Sequence, residues 1–464
     1  MKPEIIQKLK EIVGKDHVYT GKADLFCYTY DGSFSQDKPV MPGVLVLPGS
    51  TAETSEVIKL AASYGIPVIP RGAGSNLSGG TLPTTDCIIL QMTRMNRIIK
   101  IDKRNMIAVV EPGVINGKFQ KELAKHGLFY PPDPASLEFS TMGGNVAECA
   151  GGPRGVKYGV TRDYVLGLEV VLADGTILKT GAATMKSVAG YDLTRLIVGS
   201  EGTLAVITQI TVKVLPKPEA EQTVLVAFAD LDQTTDTVVE ILARGIIPAS
   251  FEFMDKVCVE NIESYIPSGL PLEAEAVLLI EVDGPQKLLQ EQIAEIEKIC
   301  REKGAIQIRS ASSVEERDKL WQGRRGVFGA FARNYATILA EDVTVPRDKI
   351  PEAVRKVREL GEKYGIQTAV IAHAGDGNLH ADILTDERNK EEMERVNQLL
   401  AELFQAAVDL GGTITGEHGI GLSKAPFLPL ESGVEGMRVM KAIKEALDPQ
   451  NILNPGKMFG DRSW

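Results

Sequence analysis

The chain has 464 residues, 44% of them apolar and 24% charged, with 51 basic against 62 acidic side chains and a formal net charge of −11. That length exceeds a single hydrophobic core and sets an expectation of two or three domains, while the acidic balance argues against a nucleic-acid partner, which favours a basic face. No apolar run reaches the roughly 18 residues of a membrane span, and five cysteines with no CxxC pair argue against a zinc ribbon or an iron–sulfur cluster and for the reduced thiols of a cytoplasmic protein.

In chain order, MKPEIIQKLKEIVGK reads as a charged amphipathic helix and not a signal peptide. GVLVLP, a helix opening at the capping box Ser50-Thr-Ala-Glu53, and IPVIP predict a β-α-β unit that ends at RGAGSNLSGG, residues 71–80. Strands are expected at CIILQ, RIIKID and MIAVVEP, then a short helix near 117–125. Residues 131–163 are rich in Gly and Pro and lack periodicity; a long irregular stretch inside a compact domain usually serves function. LEVVLADGTILKT predicts a hairpin with Asp174-Gly175 as a type I′ turn pair, and LAVITQITVKVLP a long closing strand.

A boundary is expected near 216–218. Beyond it TVLVAFAD…IPASFEFMD, AVLLIEVD…AIQIRSAS and YATILAEDVTV…TAVIAHAG each enclose a helical pattern, and LHADIL returns as a hairpin partner. These β-α-β units predict an α+β domain of ferredoxin-like type, duplicated. The expected division is 1–217, 218–420 and a helical segment 421–464 packing back on the first domain.

RGAGSNLSGG is not a P-loop, because no Lys-Ser/Thr follows its glycines, and not a dinucleotide fingerprint, because Leu77 takes the third glycine's place. It is either a tight turn or a nest of N–H groups for phosphate oxygens. PPDPASLEFSTMGGNVAECAGGPRGVKYG and SEGTLAVIT add two more glycine-rich segments to the same domain, which turns alone explain poorly.

Those three segments, with HAGDGNLH, GEHGIG and LDPQNILNPGK, resemble the vanillyl-alcohol oxidase and p-cresol methylhydroxylase superfamily. The closer resemblance is to its D-2-hydroxyacid dehydrogenase branch, which includes D-lactate dehydrogenases and glycolate oxidase catalytic subunits. The resemblance implies a two-subdomain FAD-binding domain and an α+β cap. It implies that Pro70, Arg71, Gly72, Ala73, Gly74, Ser75 and Asn76 wrap the FAD pyrophosphate. Pro132, Asp133, Thr141, Gly144, Asn145, Gly151, Gly155, Tyr158 and Gly159 would lie along the cofactor, and Glu201, Gly202 and Ile207 at its adenine or ribose end. Residues 70–80 hold no histidine, so the flavin is expected to be noncovalent.

Three of the five histidines fall in HAGDGNLH and GEHG. With Asp376-Gly377 as a two-residue turn, His373 and His380 would face each other across a hairpin with Cβ atoms about 4.5–5.5 Å apart. That spacing suits a divalent metal, zinc, iron or manganese, the alternative being a hydrogen-bonded core pair. The resemblance places Glu417 as the third ligand. His418, flanked by glycines, is the candidate general base, with support of the metal site as the alternative. LWQGRRG matches the family's tryptophan-arginine segment, which implies Arg324, or else Arg325, as the clamp on a substrate carboxylate; solvated helix arginines are the alternative.

The resemblance implies oxidation of a small D-2-hydroxy acid, D-lactate in the first instance with glycolate or D-2-hydroxyglutarate as alternatives; the family's diacid enzymes carry polar residues where this chain has the apolar GVFGAFARNYATIL, which favours D-lactate over D-2-hydroxyglutarate. With no cluster motif and no nicotinamide fingerprint, electrons are expected to leave to electron-transferring flavoprotein, a quinone or an iron–sulfur subunit. The rival readings are another flavin oxidase of the superfamily and a subunit that only relays electrons.

Overall fold

The computed structural model describes residues 1–34 and 38–460. Contacts divide the chain into two units: Met1–Ala150, Val160–Lys217 and Glu417–Trp464 form the first, Gly151–Gly159 and Pro218–Gly416 the second.

The first unit opens with Val18–Tyr19 (β1), Val44–Val46 (β2), Val68–Arg71 (β3) and Ile88–Gln91 (β4), ordered β1-β2-β4-β3. β4 lies parallel between β2 and β3, so the expected β-α-β unit crosses over a third strand. The helix Thr51–Tyr64 makes that crossing. Ser50 Oγ accepts the Glu53 N–H at 3.2 Å, but the Glu53 carboxylate takes the Gly49 N–H at 2.7 Å instead of that of Ser50, a capping box displaced by one residue. Apolar residues at Val57, Ile58 and Ala61 meet the fully buried β2 and β4.

Ile98–Asp102 (β5), Ile107–Val110 (β6), Val165–Val171 (β8), Ile177–Gly181 (β9) and Val206–Lys213 (β10) form an antiparallel sheet ordered β5-β6-β10-β8-β9, while Leu128–Phe129 (β7) and Leu215–Pro216 (β11) make a small ribbon. The β8–β9 hairpin differs from the expected two-residue type I′ turn. Leu172 N–H reaches the Thr176 carbonyl at 2.9 Å, and three residues, 173–175, make the turn with Gly175 at φ 84°. Asp174 Oδ1 accepts the Thr176 N–H at 2.8 Å. That side-chain bond sits where a three-residue loop ending in a left-handed glycine forms.

The second unit is one sheet of Ala220–Phe228 (β12), Ser250–Asp255 (β13), Ala276–Gly284 (β14), Gln307–Ser310 (β15), Thr337–Thr344 (β16), Gln367–His373 (β17) and Asn378–Thr385 (β18). The order is β15-β12-β14-β13-β17-β18-β16, every neighbouring pair antiparallel. Each predicted strand-helix-strand unit is present, and each skips a strand: the helix Leu231–Ala243 carries β12 past β14 to β13, and Ile350–Tyr364 carries β16 past β18 to β17. That is the split β-α-β of a ferredoxin-like fold. The second copy stops at three strands, because the chain enters the helix Lys390–Asp409 after β18.

Candidate flavin cavity and metal centre

Within the first unit a cavity opens where the β3 end, the glycine loop and the helix Met142–Glu148 meet. Of the residues expected on FAD, Pro70, Arg71, Gly72, Thr141, Gly144, Glu201, Gly202 and Ile207 line it. Gly72 is there because nothing larger fits: a Cβ would stand 2.2 Å from Thr141 Oγ1. Gly143 is packed likewise, its Cβ position 2.6 Å from Pro112 Cβ. Thr141 caps the short helix through the Gly144 N–H at 3.2 Å.

Two of these lining residues, Arg71 and Glu201, and several of the other expected cofactor residues also brace the framework. Arg71 donates to the Tyr30 carbonyl at 2.8 Å and to Thr81 Oγ1 at 3.3 Å, bracing the turn through Ala73, Gly74 and Ser75. Asn76 bonds Asp31, Thr81 and the Gly80 N–H at 2.8–3.1 Å. The Pro132 carbonyl, next to Asp133, accepts from Asn116 and Gln120 at 3.2 and 3.0 Å. Gly151, Gly155, Tyr158 and Gly159 belong to the second unit, where the Tyr158 hydroxyl donates to Asp283 Oδ2 at 2.5 Å. Glu201 is 5% exposed and spends its carboxylate on the Ile420 and Gly421 N–H groups, both at 2.7 Å. The cavity suits a polar ligand. Glu148 Oε2, in its lining, and Asn145 Nδ2, on the residue after the lining Gly144, are buried, and neither has a hydrogen-bond partner among the described residues, a state that proteins rarely leave unanswered.

Sequence reasoning assigned no role to LDPQNILNPGK. Buried Lys444 donates to Asp448 Oδ2 and to the Thr203 and Leu453 carbonyls at 2.5–2.8 Å. Asp448 takes the Ile452 and Leu453 N–H groups at 3.0 and 2.8 Å. Asn454 Nδ2 then bonds the Gly80 and Glu201 carbonyls at 2.9 and 2.7 Å. The motif is a clasp that ties the glycine loop to the SEGT turn. An Asp-Pro followed closely by Asn-Pro announces turns, but nothing in the pattern names their partners.

In the second unit His373 ends β17 and His380 lies on β18, 6% and 8% exposed. The hairpin register differs from the expected one. His373 pairs with Asn378, and His380 with Ile371, because the turn takes four residues, 374–377, instead of two. The histidines are diagonal neighbours on one face. Their rings still meet, centroids 5.0 Å apart and planes at 89°, since diagonal positions lie within reach of large side chains.

Glu252 on β13 stands directly across from His373. It is fully buried, and its Oε1 lies 2.6 Å from His373 Nδ1. Its Oε2 accepts from Arg324 Nε at 2.8 Å and Nη2 at 2.6 Å. Burial alone would raise this carboxyl, but the His373 and Arg324 charges and their hydrogen bonds outweigh it and hold the group below the usual carboxylate range. Glu252 was not visible as a site residue in sequence, where FEFMD reads only as a strand. Arg325 is exposed, its guanidinium 5.6 Å from the Trp321 ring centre.

Asp342, across from His380 on β16, receives Thr415 Oγ1 at 3.0 Å and the Gly416 N–H at 2.8 Å. Gly416 is pressed so closely on Asn378 that a Cβ would stand 1.9 Å from its Nδ2. One peptide bond further, Glu417 completes a group in which the ligand atoms of His373, His380 and Glu417 lie within 4.8 Å of one another. Two imidazoles and a carboxylate are a donor set for zinc, iron or manganese. The next residue, His418, accepts the Ser78 Oγ–H on its backbone carbonyl at 3.0 Å.

The FAD linked oxidases, C-terminal domain family matches residues 217–458, and the FAD binding domain family residues 42–181. The chain belongs to the FAD-linked oxidases. It is 46% identical over 456 residues to the glycolate oxidase subunit GlcD of Bacillus subtilis, covering 98% of this chain and 97% of the relative. It is 36% identical to the D-lactate dehydrogenase of Anaerostipes hadrus, covering 98% and 97%. Among solved structures, p-cresol methylhydroxylase with substrate bound shares the fold at a TM-score of 0.83 and 19% identity, over 99% and 98% of the two chains. The chain is thus an FAD-linked oxidase of glycolate-oxidase and D-lactate-dehydrogenase type, with the mixed α+β fold and the FAD-binding domain that the sequence motifs implied. Among the described residues no helix is long and apolar enough to cross a membrane.

Proposed function

We propose that this protein oxidises a small D-2-hydroxy acid, D-lactate to pyruvate in the first instance, and passes the electrons to a protein acceptor such as electron-transferring flavoprotein or an iron–sulfur subunit. The convergence of His373, His380 and Glu417 in a chain of FAD-linked oxidase type carries this reading. Bound FAD supplies the hydride acceptor, and a divalent ion on those three side chains supplies Lewis acidity toward the substrate's hydroxyl. The protein's own part is proton handling and orientation. His418 takes the hydroxyl proton on its imidazole, the side chain most often used for general-base work. Arg324, two of whose nitrogens engage Glu252, offers its remaining N–H groups to the substrate carboxylate. Glu252 orients the His373 ring through Nδ1 at 2.6 Å, and His373 would hold the ion through its other ring nitrogen, the carboxylate–histidine–metal relationship.

Glycolate is the second reading, favoured by 46% identity to a glycolate oxidase subunit. Rapid-mixing reduction of the yellow protein by D-lactate, L-lactate, glycolate and D-2-hydroxyglutarate decides between them. Fastest bleaching by D-lactate supports the first reading, and fastest bleaching by glycolate the second. Failure of all four ends both. His418→Ala is expected to retain FAD and lose substrate-driven bleaching; a subunit that only relays electrons would be unaffected.

A further inference from the structure

Two acidic side chains line the cavity of the first unit, and they are treated very differently. Glu201 receives two backbone N–H groups at 2.7 Å, and the Lys457 and Lys424 charges act on it. Glu148, the last residue of the helix Met142–Glu148, has no hydrogen-bond partner among the described residues, and its Oε2 is sealed from solvent. The two carboxyl groups converge on Gly419: a Cβ there would stand 2.5 Å from Glu148 Oε2 and 3.0 Å from Glu201 Oε1. Gly80 closes the other side, its Cβ position 3.0 Å from Glu148 Oε1.

Two carboxyls that converge on one buried point disfavour each other's ionisation. Burial raises Glu201 too, but its two N–H donors and the Lys457 and Lys424 charges oppose that rise, so the charge goes to Glu201 and the proton stays on Glu148, which has no donors among the described residues. Burial first, then the Glu201 and Asp31 charges, push the Glu148 carboxyl well above the usual range. A protonated carboxyl carries one O–H donor, and Glu148 lines the cavity with no protein acceptor for it. A charged Glu148 would instead add an anion beside a cofactor that already carries a pyrophosphate.

We propose that Glu148 is held as a neutral carboxylic acid and donates a hydrogen bond to an acceptor atom of FAD in this cavity. The proposal rests on FAD occupying the cavity, so that premise has its own control. Gly72→Val, which fills the space facing Thr141, is expected to abolish FAD binding, and retention of FAD would move the cofactor elsewhere and overturn the proposal at its premise.

Three measurements on the full-length protein test the hydrogen bond itself. The infrared difference between wild-type holoprotein and Glu148→Gln is expected to show a protonated-carboxyl band lost in the variant. Fluorescence titration of the apoprotein with FAD is expected to give near wild-type affinity for Glu148→Gln, whose amide also donates. Glu148→Leu is expected to bind about 3- to 10-fold more weakly, the range of one neutral hydrogen bond. Absence of the band, tighter FAD binding and a raised flavin midpoint potential in Glu148→Gln, or unchanged affinity in Glu148→Leu would each overturn the proposal. If Glu148→Leu does not fold, the infrared and Glu148→Gln results still decide.

Discussion

Glu252 Oε1 lies 2.6 Å from His373 Nδ1, and the other oxygen of the same carboxylate is held by Arg324 at 2.6 Å. One buried anion therefore orients an imidazole and neutralises a guanidinium together. Removing its charge as Glu252→Gln is expected to weaken divalent-metal affinity about 10- to 100-fold. Chelator competition on the holoprotein checks this, with flavin content unchanged. Equal metal affinity in the variant would mean that the carboxylate serves packing alone.

Lys444 and Asp448 form a buried pair whose remaining bonds all go to backbone. Asp448→Ala leaves the ammonium uncompensated and frees the 452–454 segment, so a loss of about 3–5 kcal/mol is expected. Thermal and denaturant unfolding measure it. FAD retention should fall in parallel, because Asn454 holds Gly80 and Glu201 at the cavity.

Four of the five cysteines, Cys87, Cys149, Cys258 and Cys300, are buried, and only Cys27 is exposed. Burial pushes Cys87 up to about 11 and Cys300 up to about 12, which suppresses the thiolate that alkylating agents require. Iodoacetamide at neutral pH is expected to label one thiol in the native protein, identified by mass spectrometry as Cys27, and all five after unfolding.

The raised carboxyl of Glu148 gives the apoprotein a pH signature. A carboxylic acid that holds its proton more tightly when folded stabilises the fold at low pH. That contribution is lost as pH rises from the unfolded value of about 4.3 toward the raised folded value. Glu148→Gln cannot ionise, so its stability advantage over wild type is expected to grow between pH 4 and 7. A constant or shrinking difference in unfolding free energy would contradict the assignment.

The strands, and the cavity-lining Gly72, Gly144 and Gly202, were legible in sequence because alternating apolar runs and close-approach glycines leave local marks, whereas Gly151, Gly155 and Gly159 fall in the second unit. The His373–His380 pairing was legible only in outline. Their spacing predicted that the rings meet, yet a four-residue turn moved the register and made them diagonal. Glu252 was invisible because a carboxylate inside FEFMD takes its meaning from β17, more than a hundred residues away. Glu148 and the Asp448 clasp escaped for the same reason: burial and partner identity are tertiary facts.

The strand β3 takes its outer partner from the far end of the chain, through Val68 N–H to the Ile452 carbonyl at 2.7 Å and Asn454 N–H to the Val68 carbonyl at 2.8 Å. During synthesis, then, the N-terminal nucleotide-binding lobe must wait with an open sheet edge until some 380 further residues have left the ribosome. Flavin capture becomes a post-translational event, and the half-made lobe is the stage at which a chaperone would be most needed.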